Sequence, residues 1–329
     1  MAKATIYDVS GAARVSLATV SRVLNNPEKV NKETRDRVLA VIKELGYKPN
    51  AIARGLASRK TTTVAIMVSD ITRASVSQTI GGIMDIANQY NYSIKIYPMD
   101  GLPSNEVART VAAEQVDGVL ILNDELSNEE MTEVYECLED SNIPVVLSNV
   151  VYENDYPSVY IDYVQASYDI TKELIEKNRK NIYLVSTLTN YTTNTQKEIG
   201  YTKAMQEASL EPKILRTSGD LDVCTKHFET FFNENPVDAA IAVRDSIGVA
   251  FINAARNIGK KIPEDVMVAG FQNTKYAKLS RPTMTCVDNP VYAIGAVAMR
   301  LLTKYMGNEE VEDNKVVMPH KVIYRESMK

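Results

Sequence analysis

Residues 5–25 read TIYDVSGAARVSLATVSRVLN and contain two short helical patterns separated by a break. Ile6, Val9 and Ala13 recur at the spacing of one face of a helix that ends near residue 14. A second helix is predicted from Leu17 to Asn25, because Ser16 is a typical N-cap and apolar residues then return at helical spacing.

The following residues predict a third helix. Asn26 and Pro27 interrupt the second helix, and an apolar stripe then runs from Thr34 to Leu45. Gly46 is a typical residue just beyond a helix C-terminus. Two helices joined by a short turn and closed by a third form the helix-turn-helix plan, in which the second helix enters the major groove of DNA.

Charge is distributed unevenly along the chain. Residues 1–60 hold 12 Lys and Arg against 5 Asp and Glu, whereas residues 61–329 hold 25 against 37. A short basic module therefore precedes a larger acidic one in a chain of net charge -5. This asymmetry is typical of a nucleic-acid-binding module joined to a domain with another role.

The exposed face of the second helix supplies the candidate base-reading residues Leu17, Ala18, Ser21, Arg22 and Asn25. Arg22 is the long donor of this set, and a bidentate arginine contact to guanine is the commonest specific base contact. Candidates for phosphate contacts are Tyr7, Ser16, Thr19, Asn31 and Thr34. The alternative is the ordinary polar face of a three-helix bundle.

A short helix is also predicted from Asn50 to Ala57, within YKPNAIARGLAS at residues 47–58. It spans about two turns and contains Gly55, so it should be largely unfolded in isolation. Such a segment can fold on DNA and, paired with its copy from a second subunit, insert Leu56 between base pairs in the minor groove. An ordinary linker is the alternative.

From residue 62 onward, β-branched runs alternate with amphipathic helical patterns, which predicts parallel sheets with helices on both faces. Strands are predicted at Thr63 to Val68, Ser93 to Tyr97, Gly118 to Leu122, Val145 to Ser148, Val159 to Asp162, Ile182 to Ser186, Ile214 to Thr217, Ala239 to Val243 and Val266 to Phe271. The pattern restarts near Arg179, so we expect two similar lobes with a cleft between them. Ligands in such folds bind beyond the carboxyl ends of the strands. The candidate cleft residues are Asp70, Lys197, Asp245 and Gln272.

Catalysis, metal binding and membrane insertion are not expected. Phosphate-binding glycine motifs and a nucleophile elbow are absent, and Gly81-Gly82 lies within a predicted helix. His227 and His320 have no catalytic context, and the three cysteines (Cys137, Cys224 and Cys286) lack metal-ligand spacing, so we expect buried thiols, no cofactor and no metal. Without a signal peptide or an apolar run long enough to span a bilayer, the expected location is the cytoplasm.

Residues 5–25, followed by YKPNAIARGLASRKTTTVAIMVSD at 47–70, resemble the DNA-binding headpiece and hinge of the lactose/galactose repressor family. The resemblance implies a homodimer that binds a pseudo-palindromic DNA operator, with Leu17, Ala18 and Arg22 in base-reading positions. It places Asn50, Ala53 and Leu56 in the hinge, with Ala53 and Leu56 in the minor groove. Arg14 stands in the turn where many members have glycine.

The same resemblance implies an all-α helix-turn-helix headpiece joined to an α/β core of two doubly wound parallel-sheet lobes, similar to the periplasmic sugar-binding proteins. Crossovers between the lobes are expected near residues 161 and 289. The expected domains are the headpiece at 1–48, the hinge helix at 49–60, a first lobe at 61–161 plus 289–318, and a second lobe at 162–288 plus 319–329.

Sugar- and purine-responsive members of this family commonly hold their ligand with an arginine and an aspartate in the second lobe. Lys197 and Gln272 occupy those positions here. Lysine lacks the bidentate guanidinium fork, and glutamine is neutral. A sugar effector is therefore disfavoured, although a small sugar or phosphosugar in the cleft stays the alternative.

Residues 291–306 read VYAIGAVAMRLLTKYM and place Ala296, Arg300 and Lys304 on one side of a helix. By charge alone this is a solvated helix face, or a site for a phosphoryl group. The segment is similar to the branch of the family that controls carbon catabolite repression, whose corepressor is the phosphocarrier HPr phosphorylated on a regulatory serine. That resemblance implies corepressor contacts at Tyr292, Ala296, Arg300 and Lys304. Two departures are Ala293, where Asp is usual, and Arg73-Ala74-Ser75, which replaces a more apolar stretch.

Overall fold

The computed structural model describes residues 4–47, 61–99 and 101–329, and the chain divides into two compact units, 1–61 and 62–329. The described part of the smaller unit is helical. Its helices are α1 (Ile6–Ala13), α2 (Leu17–Asn25) and α3 (Lys32–Leu45), with a 3-10 turn at Pro27–Lys29. This arrangement confirms the three-helix headpiece predicted from the spacing of apolar residues.

Capping side chains determine where α2 and α3 begin. The Oγ of Ser16 accepts a 3.1 Å hydrogen bond from the backbone N–H of Thr19, as its predicted N-cap role requires. Asn31 does the same for α3, since its Oδ1 accepts a 2.8 Å hydrogen bond from the backbone N–H of Thr34. The predicted start of α3 at Thr34 was therefore late, because the cap lies at Asn31 and the helix begins at Lys32.

The headpiece encloses a small apolar core formed by buried side chains from all three helices. These are Val9, Ala13, Val20, Val23 and Val38. Leu45 was predicted to continue the apolar stripe of α3, but its side chain is 38% exposed because the helix ends there. The core thus holds α1, α2 and α3 together and leaves the outer face of α2 in solvent.

Two six-stranded sheets form the larger unit. The first sheet has the order β11-β5-β4-β3-β1-β2, and all of its strands are parallel. Its strands are β1 (Thr63–Val68), β2 (Ser93–Pro98), β3 (Gly118–Leu122), β4 (Val145–Ser148), β5 (Ser158–Ile161) and β11 (Lys315–Met318). This sheet is the framework of the first lobe.

The second sheet has the order β12-β10-β9-β8-β6-β7. Its strands are β6 (Ile182–Thr187), β7 (Lys213–Thr217), β8 (Ala239–Ala242), β9 (Met267–Gly270), β10 (Thr285–Asp288) and β12 (Lys321–Ile323). The structure differs from the predicted pattern in several ways, and β11 and β12 lie outside the predicted strand segments. β12 pairs antiparallel with β10, and β10 was not among the predicted strands, because four residues between Pro282 and Pro290 carry little periodicity.

Helices cover both sheets, as strand-helix alternation predicts. They are α4 (Ala74–Gln89), α5 (Ser104–Ala113), α6 (Asn128–Glu139), α7 (Tyr163–Glu176), α8 (Thr192–Glu207), α9 (Leu221–Glu234), α10 (Asp245–Asn257), α11 (Lys275–Leu279) and α12 (Val291–Met306). In each lobe one helix pair packs at backbone contact. A Cβ added to Gly82 of α4 would lie 2.0 Å from the carbonyl oxygen of Tyr292 in α12, and one added to Gly200 of α8 would lie 2.0 Å from that of Val164 in α7.

The chain passes between the lobes after β5, after β10 and after β11, since the strands on either side of these points belong to different sheets. Asn289 ties two of the crossings to the first lobe. Its Nδ2 donates to the Oδ1 of Asn149 at 3.0 Å and to the hydroxyl of Tyr163 at 3.1 Å. The carboxyl ends of both sets of parallel strands therefore face one cleft beside these crossings.

Candidate functional site

The predicted base-reading residues lie on the solvent side of α2. Leu17, Ala18 and Arg22 are exposed, with Leu17 at 37%. Among the described residues the guanidinium of Arg22 has no hydrogen-bond or ion-pair partner within the protein. An unpaired guanidinium on an open helix face is suited to a bidentate contact with a guanine edge.

Five of the predicted DNA-contacting residues line one open concavity of about 380 Å³ in the headpiece. They are Ser16, Thr19, Arg22, Asn31 and Thr34. The N-termini of α2 and α3 both border the concavity, and backbone N–H groups and helix dipoles favour an anion at such positions. Lys29 also lines it and was missed by sequence reasoning, although a cation in the short break between two predicted helices was a usable signal.

Three other predicted DNA-contacting residues of the headpiece do not line this concavity. Tyr7 is 70% exposed on α1, Ser21 is half-buried on α2, and Asn25 is the last residue of α2. The predicted hinge contacts Asn50, Ala53 and Leu56 lie outside the residues that the structure describes.

Arg14 occupies the turn between α1 and α2 in the left-handed region, with φ 52° and ψ 49°. Its backbone N–H donates to the carbonyl oxygens of Ser10 and Gly11, which closes α1 at Ala13. A side chain in this conformation costs about 1 kcal/mol relative to glycine. The side chain of Arg14 is exposed to solvent. The turn therefore presents a positive charge to solvent, and its left-handed backbone conformation is less favourable than it would be with glycine.

The predicted corepressor residues share the outer side of α12. Arg300 and Lys304 are exposed one turn apart, and neither side chain has a hydrogen-bond or ion-pair partner among the described residues. Tyr292 is 50% exposed and donates from its hydroxyl to the Oδ2 of Asp85 in α4. Ala296 is half-buried between the two helices, so this face combines two unpaired cations with small and aromatic groups.

The interlobe cleft contains a cavity of about 250 Å³. Three of the four predicted cleft residues line it, namely Asp70, Lys197 and Gln272. Lys197 is 3% exposed, and its ammonium donates to the Oδ1 of Asn194 and the carbonyl oxygen of Val243, both at 3.3 Å. Burial lowers the pKa of Lys197 to about 7, although the carboxylate of Asp124 opposes this shift.

Asp245, the fourth candidate, does not line the cavity. Its carboxylate is buried and accepts hydrogen bonds from the backbone N–H groups of Gln272 (3.1 Å) and Thr274 (2.6 Å) and from the hydroxyl of Thr274 (2.8 Å). These bonds order the segment after β9. Asp245 therefore holds the backbone of Gln272 in place and does not face the cavity. Its position after a strand in the sequence is compatible with either role, so the sequence could not separate them.

Sequence reasoning did not assign Arg73 or Arg244, whose side chains both lie over the ring of Tyr191 in the cleft. The guanidinium carbons of Arg73 and Arg244 lie 4.6 and 4.4 Å from the ring centroid of Tyr191. Arg73 also forms ion pairs with Asp70 (3.7 Å), Asp124 (3.3 Å) and Glu125. No local pattern points to this cluster, because its members come from four separate loops.

The remaining polar candidates occupy structural positions. Cys224 and Cys286 are buried as expected, whereas Cys137 is only half-buried, because it lies at the edge of an apolar cluster under α6. His227 is exposed, and His320 contacts the carboxylate of Asp169 at 3.0 Å. Within the described ranges, no His, Cys, Asp and Glu side chains group as a metal site, and no helix is long and apolar enough to cross a membrane.

A helix-turn-helix unit with an exposed reading helix, followed by a two-lobed α/β core with an interlobe cleft, defines a DNA-binding regulatory protein. Residues 5–50 match the family model of bacterial regulatory proteins, lacI family, and residues 171–328 match that of periplasmic binding protein-like domains. The chain is 39% identical to catabolite control protein A of Priestia megaterium over 99% of both chains. It therefore belongs to the lacI family of bacterial regulatory proteins and is similar over its whole length to catabolite control protein A.

Solved structures agree with this fold. A lac repressor dimer bound to operator and an anti-inducer superimposes with a TM-score of 0.91 over 99% of both chains, at 20% identity. The transcription regulator CcpA of Lactococcus lactis is 31% identical, with a TM-score of 0.73 over 81% of this chain and 99% of that one. Both of these proteins are regulators of transcription, in agreement with the family of bacterial regulatory proteins that the headpiece matches.

Proposed function

We propose that this protein is a cytoplasmic regulator of carbon catabolite control that binds a pseudo-palindromic operator as a homodimer. Its operator affinity is raised when HPr phosphorylated on serine docks on the outer face of α12. The observation that carries this proposal is the pair of exposed, unpartnered cations Arg300 and Lys304 beside Tyr292. It is supported by 39% identity to catabolite control protein A.

In this proposal the headpiece reads DNA through Leu17, Ala18 and Arg22. The headpiece concavity receives the DNA backbone, because two helix N-termini and the side chain of Lys29 converge there. Ala53 and Leu56 from both subunits enter the minor groove between the half-sites. Corepressor docking favours the DNA-bound form of the hinge and thereby tightens both headpieces on the operator.

The chemistry of α12 suits a phosphoryl group. A guanidinium pairs with phosphate through two parallel hydrogen bonds, and Lys304 supplies a second positive charge one helical turn away. Ala293 is small, so it leaves room for a partner helix to approach these cations closely. Because neither Arg300 nor Lys304 has an internal partner among the described residues, docking breaks no ion pair.

Fluorescence anisotropy with a selected operator tests the proposal. Serine-phosphorylated HPr should raise operator affinity about ten-fold or more, and unphosphorylated HPr should not. The Arg300→Ala and Lys304→Ala variants should lose this response. Arg109→Ala is the matched control, because Arg109 is an exposed cation of α5 in the same lobe without a partner in the described residues. Equal operator affinity with and without phosphorylated HPr would refute the corepressor role.

A small sugar or phosphosugar effector in the cleft is the second candidate. It is favoured by the cavity between the lobes, where Arg244 has no hydrogen-bond acceptor in the described part of the chain and Lys197 has no paired carboxylate. Calorimetry with a panel of sugars and phosphosugars distinguishes the two. Binding that changes operator affinity in the absence of HPr would favour the small effector.

A further inference from the structure

Arg73 joins the two lobes across the cleft. Within the first lobe its guanidinium pairs with Asp124 at 3.3 Å and with Glu125. It also donates a 2.8 Å hydrogen bond to the hydroxyl of Tyr191 in the second lobe, over whose ring it lies. Arg73 precedes α4 and Tyr191 precedes α8, so one side chain connects the N-termini of the helices on the two sides of the cleft.

Three further hydrogen bonds cross the cleft beside this contact. The hydroxyl of Thr193 donates to the Oδ2 of Asp124 at 2.8 Å, and the backbone N–H of Thr192 donates to the carbonyl oxygen of Asp124 at 2.9 Å. The Nε2 of Gln272 donates to the Oγ of Ser75 at 3.2 Å. Asp124 therefore receives both Arg73 from its own lobe and two donors from the other.

These contacts are shielded from water. The side chains of Arg73 and Asp124 are 16% and 17% exposed, and Tyr191 is 7% exposed. Charge-assisted hydrogen bonds in such surroundings are stronger than neutral ones. Opening the cleft would strip Arg73 of its Tyr191 contact and leave Asp124 without its second-lobe donors.

We propose that Arg73 is a built-in latch that holds the lobes closed without a small molecule in the cleft. Donors and acceptors that a cleft ligand could join between the lobes are here joined by the chain's own side chains. Arg73 and Ser75 lie in the stretch that departs from the usual apolar sequence, and both belong to the interlobe contacts. The latch does not depend on the identity of the corepressor, so an experiment can refute it without refuting the proposed function.

Hydrogen exchange of the full-length protein, dialysed and free of ligand, tests the latch at the Thr192 amide, whose acceptor belongs to the other lobe. That amide should be protected in the wild-type protein. Arg73→Ala should speed its exchange about ten-fold or more, and Tyr191→Phe should speed it to a lesser extent, because only the hydroxyl is lost. Arg216→Ala is the control, since Arg216 pairs with Glu198 inside the second lobe.

The exchange rate of the Thr192 amide either supports or overturns the latch. Faster exchange at Thr192 in Arg73→Ala and Tyr191→Phe, with the amides of β6 and β8 unchanged, supports the latch. A Thr192 amide that is unprotected in the ligand-free wild-type protein overturns it. Equal exchange in the wild type and in Tyr191→Phe also overturns it, even if Arg73→Ala proves too unstable to study.

Discussion

Ser75 and Gln272 are 197 residues apart in the chain, yet the Nε2 of Gln272 donates a 3.2 Å hydrogen bond to the Oγ of Ser75 across the interlobe cleft. Each residue belongs to a departure from what the family resemblance implies, since Ser75 lies in the Arg73-Ala74-Ser75 stretch that replaces a more apolar one and Gln272 stands where an aspartate is common. Their contact makes the two departures parts of one arrangement. Where the resemblance implies a ligand-holding aspartate, this chain has an amide that spans the cleft.

Gly82→Ala should disrupt the surface proposed for the corepressor by forcing α4 away from α12. The new Cβ would lie 2.0 Å from the carbonyl oxygen of Tyr292, a backbone atom that cannot move without the helix. We expect the free energy of unfolding to fall by about 2 kcal/mol or more, measured by urea denaturation.

Gly81→Ala is the control for this effect. Its Cβ would lie 3.8 Å from the ring of Tyr292, which is an ordinary contact. Alanine is the better helix former, so stability should rise by about 0.5 kcal/mol. Similar losses in both variants would contradict the close packing of the two helices at Gly82.

Arg14→Gly should stabilise the headpiece and weaken DNA binding. Glycine relieves the left-handed turn, which is worth about 1 kcal/mol, and slower hydrogen exchange in α1 and α2 would report it. If Arg14 contacts a phosphate, the salt dependence of operator binding should also fall by about one counterion. Arg14→Ala separates the two effects, because it removes the charge and keeps the strained φ. An unchanged salt slope in both variants would exclude the phosphate contact.

Periodicity and capping chemistry predicted most of the fold. The spacing of Val9 and Ala13, the Ser16 cap and the alternation of strands with helices are local properties, and the structure has the elements they indicate. The Arg73 cluster could not be predicted in this way, because Asp124 and Tyr191 are brought to Arg73 only by the packing of two sheets. Asp245 shows the converse limit, since its place after a strand suggested a ligand contact, whereas its carboxylate accepts hydrogen bonds from Gln272 and Thr274 in the segment after β9.

Leu56→Ala tests the hinge residue that lies outside the described part of the chain. If Leu56 inserts between base pairs, the variant should lose at least about ten-fold in affinity for the selected operator and little for nonspecific DNA, because only the specific complex bends and wedges the duplex. Anisotropy titrations on both DNAs measure the ratio. Equal losses on the two DNAs would contradict the wedge.

Lys197→Met should make the protein more stable near neutral pH, with a pH dependence set by the buried ammonium. The pKa of Lys197 is about 7 in the folded protein, whereas an unperturbed lysine, as in the unfolded chain, has a pKa of 10.5. Between these two pH values the unfolded chain therefore binds a proton that the folded protein does not. Stability of the wild type therefore rises with pH across this window, and the penalty is largest below it. Methionine has a similar shape without the charge, although it loses two long hydrogen bonds of 3.3 Å.

We expect the free energy of unfolding of Lys197→Met to be higher than that of the wild type by on the order of 2 kcal/mol at about pH 7. This difference should become smaller towards about pH 10. Urea denaturation at both pH values measures it. Lys203→Met, on the exposed side of the same helix, controls for loss of a lysine as such. A Lys197→Met difference that is independent of pH would show that burial does not shift the lysine, and the cleft would then hold a permanently charged cation.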